Sequence, residues 1–356
     1  MQQQAEDPQP LSEPNKDSKS EKLNVHLITD ILHLIFKALV PKDLFSVILV
    51  NRTWCRNGIS ILWKAPFSHP RLNTSRAIRT YLLSITEPSQ SYFKMFPYLP
   101  INSISKDLKE LEVDLRIIKE PLFDYISYCS VFDYGGMVQA TYGYCGRLRK
   151  CQRGKFASLI MCLLLEMFKT RGIQFKAMRV KYLQDSKEHL LWASSEYRFM
   201  FSEIVTLNLD GKCKKSEVLA AMIPICRKIK HLRFRVDDTY GAESIKNLIQ
   251  LIHSQTNLAT FVITGSIETN YQASLFSALC TQNSTITSLK FNYFRFTFMD
   301  WSFLEKLTRL QHLSIQNCIG FRYSLEKIND VLGMRRYSRS FVVTLEGFVW
   351  KLDLQE

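Results

Sequence analysis

Apolar residues keep two rhythms along this chain. Between 27 and 63 they fall first at Leu27, Ile28, Ile31, Leu32, Ile35, Phe36 and Leu39, the three-and-four spacing that lines one face of a helix. Pro41 stops that helix, because proline lacks the N–H that the helical ladder needs. A second short run carries Leu44, Val47, Ile48, Leu49 and Val50. A third carries Trp54, Ile59, Ile61, Leu62 and Trp63. The spacing predicts three short helices. A piece this small buries too little of its own surface to be comfortable alone, so an apolar face left over on it is expected to meet a partner.

The second rhythm fills the later half. Each copy has an apolar residue, two variable positions, an apolar residue, one variable position and a last apolar residue. The copies are Ile204–Leu209, Ile229–Phe234, Leu258–Ile263, Ile286–Phe291 and Leu310–Ile315. Their middle residues, Leu207, Leu232, Phe261, Leu289 and Leu313, step by 25, 29, 28 and 24 residues. Phe175–Val180 fits one step earlier, and Ser338–Val343 fits weakly one step later with Phe341 at its middle. Helical spacing recurs between copies, over Glu217–Cys226, Ser244–His253 and Tyr271–Thr281. Strand, turn and helix in repetition predict an array whose units bury their apolar sides only by stacking.

The first stretch resembles an F-box, the adaptor-binding module of cullin-based, SCF-type ubiquitin ligases. The family pattern runs Leu-Pro-x-x-Ile-Leu-x-x-Ile-Phe-x-x-Leu, then Leu-x-x-Val, Val-x-Arg-x-Trp and Leu-Trp. The chain matches it with Leu27, Ile31, Leu32, Ile35, Phe36, Leu39, Leu44, Val47, Val50, Arg52, Trp54, Leu62 and Trp63. It departs at Ile28, where the family has the proline that preorganises a first helical turn. The resemblance implies that Leu27, Ile28, Ile31, Leu32, Ile35, Leu39, Leu44, Val50, Trp54 and Trp63 contact a Skp-type adaptor, and through it a cullin. The later copies are similar to leucine-rich repeats in period and register, and Asn317-Cys318 stands where those repeats carry Asn or Cys. The fold class expected is α/β: a short three-helix F-box, then a leucine-rich-repeat solenoid with parallel strands on its concave face and helices on its convex face. Two plainer readings stay open, a three-helix piece of ordinary core and an α/β sheet with coincidental spacing.

The expected division is a polar, disordered leader over 1–22, the F-box over 23–66, a connector over 67–172 with an early, irregular repeat-like region and the basic segment, and repeats with a C-terminal cap over 173–356. Within the connector, Lys64 to Thr86 reads as continuing helix, Glu87 to Asn102 as proline-interrupted chain, and Leu108 to Leu115 as ending in a strand. Pro121 to Tyr144, rich in Tyr, Phe and Gly, reads as an irregular segment packed by its aromatics. Phe156 to Phe168 is apolar enough for a buried helix but too short to span a bilayer.

Charge adds a second candidate surface. The net charge is +14, and Thr141 to Lys181 holds ten Lys and Arg against the single acid Glu166. Such clustering points to an acidic partner. Arg147, Arg149, Lys150, Arg153 and Lys155 read as a solvated loop at the mouth of the repeats. Residues beside the buried ones of a strand face the other way, which puts Arg179, Lys181, Arg233, Arg235 and Lys290 on the concave face. These ten cations are the candidate contacts for a protein target with an acidic or phosphorylated tract. A solvated surface and a nuclear import signal are plainer readings of the same charges.

Chemistry is not visible in the motifs. There is no Gly-x-Ser-x-Gly elbow, phosphate loop, dinucleotide fingerprint or His-Glu-x-x-His, and the seven histidines are dispersed. Nine cysteines lack any Cys-x-x-Cys pair and read as reduced, buried thiols. The resemblance therefore implies a non-catalytic substrate receptor without a cofactor or membrane segment, working in the cytoplasm or nucleus. A basic nucleic-acid-binding protein and an adaptor-bound scaffold outside any ligase are the alternatives. Against the former, the basic run lacks interleaved aromatics and no nucleic-acid-reading signature is present.

Overall fold

The structure, a computed structural model, describes residues 29–68, 74–84, 121–148, 150–180, 194–211, 215–236, 241–296, 301–319, 341–345 and 348–352. The chain divides into two compact units, Met1–Trp63 and Lys64–Glu356. The strand expected near Leu108 to Leu115, the proline-interrupted chain from Glu87 to Asn102 and the leader over 1–22 lie outside the described residues.

In the first unit residues 29–38 are helical (α1), followed by α2, Pro41–Val47, and α3, Arg52–Leu62. Pro41 ends one helix and begins the next, where its fixed φ suits the first turn and no N–H is needed. Asn51 caps α3 by accepting the Trp54 N–H at 2.8 Å. Phe36, Leu44, Ile48 and Ile59 make a small shared core. Gly58 belongs to it: a Cβ there would stand 2.5 Å from Ile48, closer than packed carbons come, while only touching Leu44 and Phe36.

The second unit is built on a nine-stranded sheet whose strands lie in chain order. They are β1, Val131–Asp133; β2, Ala177–Arg179; β3, Thr206–Leu209; β4, His231–Arg235; β5, Thr260–Thr264; β6, Ser288–Asn292; β7, His312–Gln316; β8, Phe341–Leu345; and β9, Phe348–Leu352. Strands β1 to β8 are parallel, and β9 returns antiparallel to β8. Parallel neighbours need a crossover. Helices supply most of them: α5, Tyr134–Tyr144, and α6, Lys150–Thr170, between β1 and β2; the short α7, Arg198–Phe201; α8, Lys215–Met222; α9, Gly241–His253; α10, Thr269–Cys280; and the short α11, Phe303–Lys306. Before the sheet, α4, Thr74–Leu83, packs on α5.

The predicted middle residues sit side by side. Met178, Leu207, Leu232, Phe261, Leu289 and Leu313 are successive register partners, and all are buried. Three expectations change. A strand and a helix, β1 and α5, occupy the stretch read as irregular, so Phe132 opens the row one unit earlier. The periodicity missed it because 46 residues separate Phe132 from Met178, room for two helices where later units have one. At the other end Leu313 pairs with Val343, not Phe341, a two-residue shift, the smallest that preserves the face a strand presents. The helix expected over Lys64 to Thr86 is broken by turns around Pro66, and α4 begins only at Thr74.

Buried polar groups in the turns reach back one unit. Gln255 accepts the Ile229 N–H at 3.0 Å and donates to the Cys226 carbonyl at 2.9 Å. Gln282 donates likewise a repeat later, to the Gln255 carbonyl at 2.8 Å and the Ile252 carbonyl at 3.3 Å. Thr285 donates to Leu258 and Thr308 to Asn283. Each satisfies a backbone carbonyl that the neighbouring unit cannot satisfy itself.

Two outcomes test this packing. Gly136 lies against the backbone of Phe67, where a Cβ would come within 2.1 Å of its carbonyl oxygen. Gly136→Ala should therefore lower stability by ~1–3 kcal/mol, because backbone cannot yield as a side chain can; denaturant unfolding reads it. Leu232→Asp puts an unpaired carboxylate into the sheet's buried side and should cost ~3 kcal/mol or more. Arg235→Asp, three residues on and therefore on the opposite, exposed side of the strand, should change stability by only about 0.5 kcal/mol. Equal losses at 232 and 235 would contradict the assigned faces.

Candidate interaction surfaces

The first unit carries more exposed apolar surface than its small core consumes. Ile31, Leu34, Ile35, Val40, Phe45, Leu49 and Val50 are all exposed, Leu49 to 71%. The helical period explains it. Phe36 turns inward while Ile31, Leu34 and Ile35 remain outside, and in α2 Leu44 turns inward while Phe45 does not. Of the predicted adaptor contacts, Ile31, Ile35 and Val50 are exposed, and Leu32, Leu39, Trp54 and Trp63 are half-buried. Leu44 is a correction. It is only 2% exposed, packed with Phe36 and Ile48 around Gly58, so it supports the surface without forming it. Leu27 and Ile28 lie outside the described residues. Sequence reading passed over Leu34, Val40, Phe45 and Leu49, although the hydrophobic excess around each helix was the available signal.

The basic segment is not a loop at the mouth of the array. Lys150 to Lys155 begin α6, between β1 and β2, because the helix starts six residues before the apolar run at Phe156. Arg153 is committed to the fold: its Nε donates to the Leu148 carbonyl at 2.9 Å and its Nη2 to Gly146 at 2.6 Å. Those carbonyls close the short 3-10 turn Cys145–Arg147, so the planar guanidinium acts as a clamp on that turn. Lys155 is exposed. Arg149 and the side chains of Arg147 and Lys150 lie outside the described residues.

The solvent side of the sheet collects the remaining cations. Its central row runs Arg179, Asn208, Arg233, Val262, Lys290 and Ser314, each the register partner of the next. The row above it runs Arg235, Thr264, Asn292 and Gln316. Arg233, Arg235 and Lys290 are exposed and Arg179 is half-buried. Arg233 donates to Asp210 at 3.3 Å across neighbouring strands, an exposed pair worth ~0–1 kcal/mol. Arg235 and Lys290 have no ion pair among the described residues. Lys181 lies outside them. Two positions of this face are buried: Val262, between the long side chains of Arg233 and Lys290, and the short Ser314.

Groups of at least three His, Cys, Asp or Glu side chains suited to a metal ion do not occur among the described residues. No described helix is long and apolar enough to cross a membrane. Burial pushes the Cys129 and Cys226 thiols up to about 12 and the Cys145 thiol to about 11, Arg153 opposing the last. At neutral pH these thiols hold almost no thiolate, the reactive form. Iodoacetamide should leave Cys129, Cys145 and Cys226 unmodified in the folded chain and label them once denaturant unfolds it, as peptide mass spectrometry would show. Labelling of any of the three before unfolding would contradict their burial.

No family model, no curated protein and no solved structure matches the chain.

Proposed function

We propose that the chain is the substrate-recognition subunit of an SCF-type cullin ubiquitin ligase. In this reading unit one is an F-box that docks a Skp-type adaptor, and unit two is a leucine-rich-repeat solenoid that holds the target. The chain transfers nothing and needs no cofactor. It raises the target's effective concentration near the conjugating enzyme, in the cytoplasm or nucleus.

The observation that carries the proposal is the coincidence of motif and surface in the first unit. Ile31, Ile35 and Val50 belong to the ordered F-box-like pattern and are also exposed. Leu34, Phe45 and Leu49 add further exposed apolar side chains to the same unit. Exposed clusters of large apolar residues on a small helical module mark a protein interface. The repeats support the second half of the reading, since strands in chain order with in-register apolar rows form the extended surface that repeat proteins use for binding.

Co-purification of the full chain with a Skp-type adaptor tests this. Ile35→Asp with Leu49→Asp alters two exposed anchors, each commonly worth ~2 kcal/mol. Adaptor capture should fall by about a hundredfold or more, with thermal unfolding unchanged. Capture undiminished by the double variant removes the F-box assignment. Adaptor capture without a bound cullin assigns the chain instead to a scaffold outside a ligase.

A further inference from the structure

The solvent side of β4 to β7 combines three features that ordinary strand solubility does not require. The first is charge. Neighbouring strands lie ~4.8 Å apart, so Arg233 and Lys290 stand on either side of buried Val262, with Arg235 two residues further along β4 on the same side as Arg233. Among the described outward positions of β2 to β7 and the residue after β3, Asp210 is the one acid, and Arg233 already holds it.

The second feature is unmet hydrogen bonding. Asn208 Oδ1, Asn292 Oδ1 and Ser314 Oγ are shut from solvent and have no partner among the described residues. All three side chains lie in the outward rows, and Ser314 is only 5% exposed. A buried acceptor without a donor is costly to keep. Asn292 spends its amide nitrogen on the Thr264 hydroxyl at 3.5 Å, which leaves its oxygen as the open group.

The third is a backbone conformation without a local return. The residue after each of β5, β6 and β7 is left-handed: Gly265 at φ 93°, Tyr293 at 54° and Asn317 at 52°. They follow Thr264, Asn292 and Gln316, which are register partners, so the turn is one repeated device. Glycine and asparagine accept this conformation readily and a bulky aromatic does not. Tyr293 nevertheless sits there, 64% exposed, adding nothing to the core. Strain retained without a packing benefit concentrates at functional positions.

We propose that this face binds an acidic polypeptide segment, its carboxylate or phosphate groups on Arg235 and Lys290, a side chain against Tyr293, and its backbone N–H on the Asn292 amide oxygen, which the Asn292 side chain turns outward to present. The inference rests on reading the second unit as the target-binding module and names the chemistry of that target. A polypeptide is favoured over nucleic acid by the open acceptors. A peptide brings a backbone N–H at every residue beside its acidic groups, whereas a nucleic acid brings N–H donors only on its bases, away from its phosphates.

Fluorescence anisotropy with the full chain at physiological salt tests the proposal. The probes are a labelled Asp- and Glu-rich peptide, the same peptide with phosphoserines, and a DNA single strand of matched charge. Both peptides should bind, and the tighter one tells phosphate from carboxylate recognition; the DNA should bind about tenfold more weakly or worse. Arg235→Glu with Lys290→Glu should weaken the peptides by about tenfold or more. Lys246→Glu with Arg198→Glu, an equal charge change on exposed helical positions, should leave them nearly unchanged. Tyr293→Asn should keep or raise the thermal midpoint while weakening binding. Equal effects of the two charge reversals, binding of DNA as tight as that of the peptides, or full binding by Tyr293→Asn would each overturn the proposal. Adaptor capture measured on the same samples separates the readings. Its loss with peptide binding intact removes the ligase reading and keeps this one; the converse removes this one alone.

Discussion

A parallel strand has no partner within its own unit, and the larger unit is organised by that constraint. Every strand from β2 to β7 takes its backbone hydrogen bonds from the units before and after it. The turns obey the same rule, since Gln255, Gln282, Thr285 and Thr308 bond carbonyls one repeat behind. Stability therefore passes between nearest neighbours and does not collect in one central core. At the C-terminal end β9 turns antiparallel to β8 and so covers the edge that a further parallel strand would otherwise take.

The apolar filling changes along this array. Near its start, rings of Phe132, Phe168, Phe175, Phe201 and Tyr81 meet at centroid distances of 5.0 to 5.8 Å. Aliphatic rows at Leu207, Leu209, Leu232, Leu248 and Leu251 fill the middle. A second aromatic set, Phe276, Phe291, Phe294, Phe296, Trp301 and Phe303, closes the region under β6 and β7. The wide unit between β1 and β2 needs large rings to fill it, because it carries two helices, with α4 packed on α5 and the Phe67 backbone against Gly136. With the buried side so complete, what distinguishes one repeat from another lies on the solvent side: the cations, the open acceptors and the left-handed tyrosine.

The two units use surface in opposite ways. The small helical unit leaves its exposed residues apolar, at Leu34, Phe45 and Leu49, because three short helices have too little interior to hold them. The sheet hides its apolar residues almost completely and presents charge. An apolar surface favours a lasting association through desolvation, and a charged one favours selection and rapid exchange of partners. That division suits a protein that stays with one partner and samples another.

The sequence alone pointed to the row of strands, because the period-two pattern around Leu207, Leu232, Phe261, Leu289 and Leu313 recurs at a spacing that lets neighbouring units cover each apolar side. It also placed Arg233, Arg235 and Lys290 on the solvent side of the sheet, since neighbours of buried strand residues must point away. It could not determine the strand at Phe132, whose distance from Met178 hides the period, nor the two-residue shift of the last copy, which alternation permits equally. Tertiary structure decided the rest. It buried Leu44 and left Leu49 outside, although both are leucines at helical spacing, because only one points toward Phe36 and Ile59. It turned Arg153 from a free charge into a clamp on two carbonyls, because the helix began earlier than its apolar run. It placed Gly265, Tyr293 and Asn317 at one repeated left-handed turn, since equivalence there follows from strand register and not from the residues themselves. Local pattern fixes which side of an element is apolar; which apolar or charged group meets a partner depends on what the chain brings up against it.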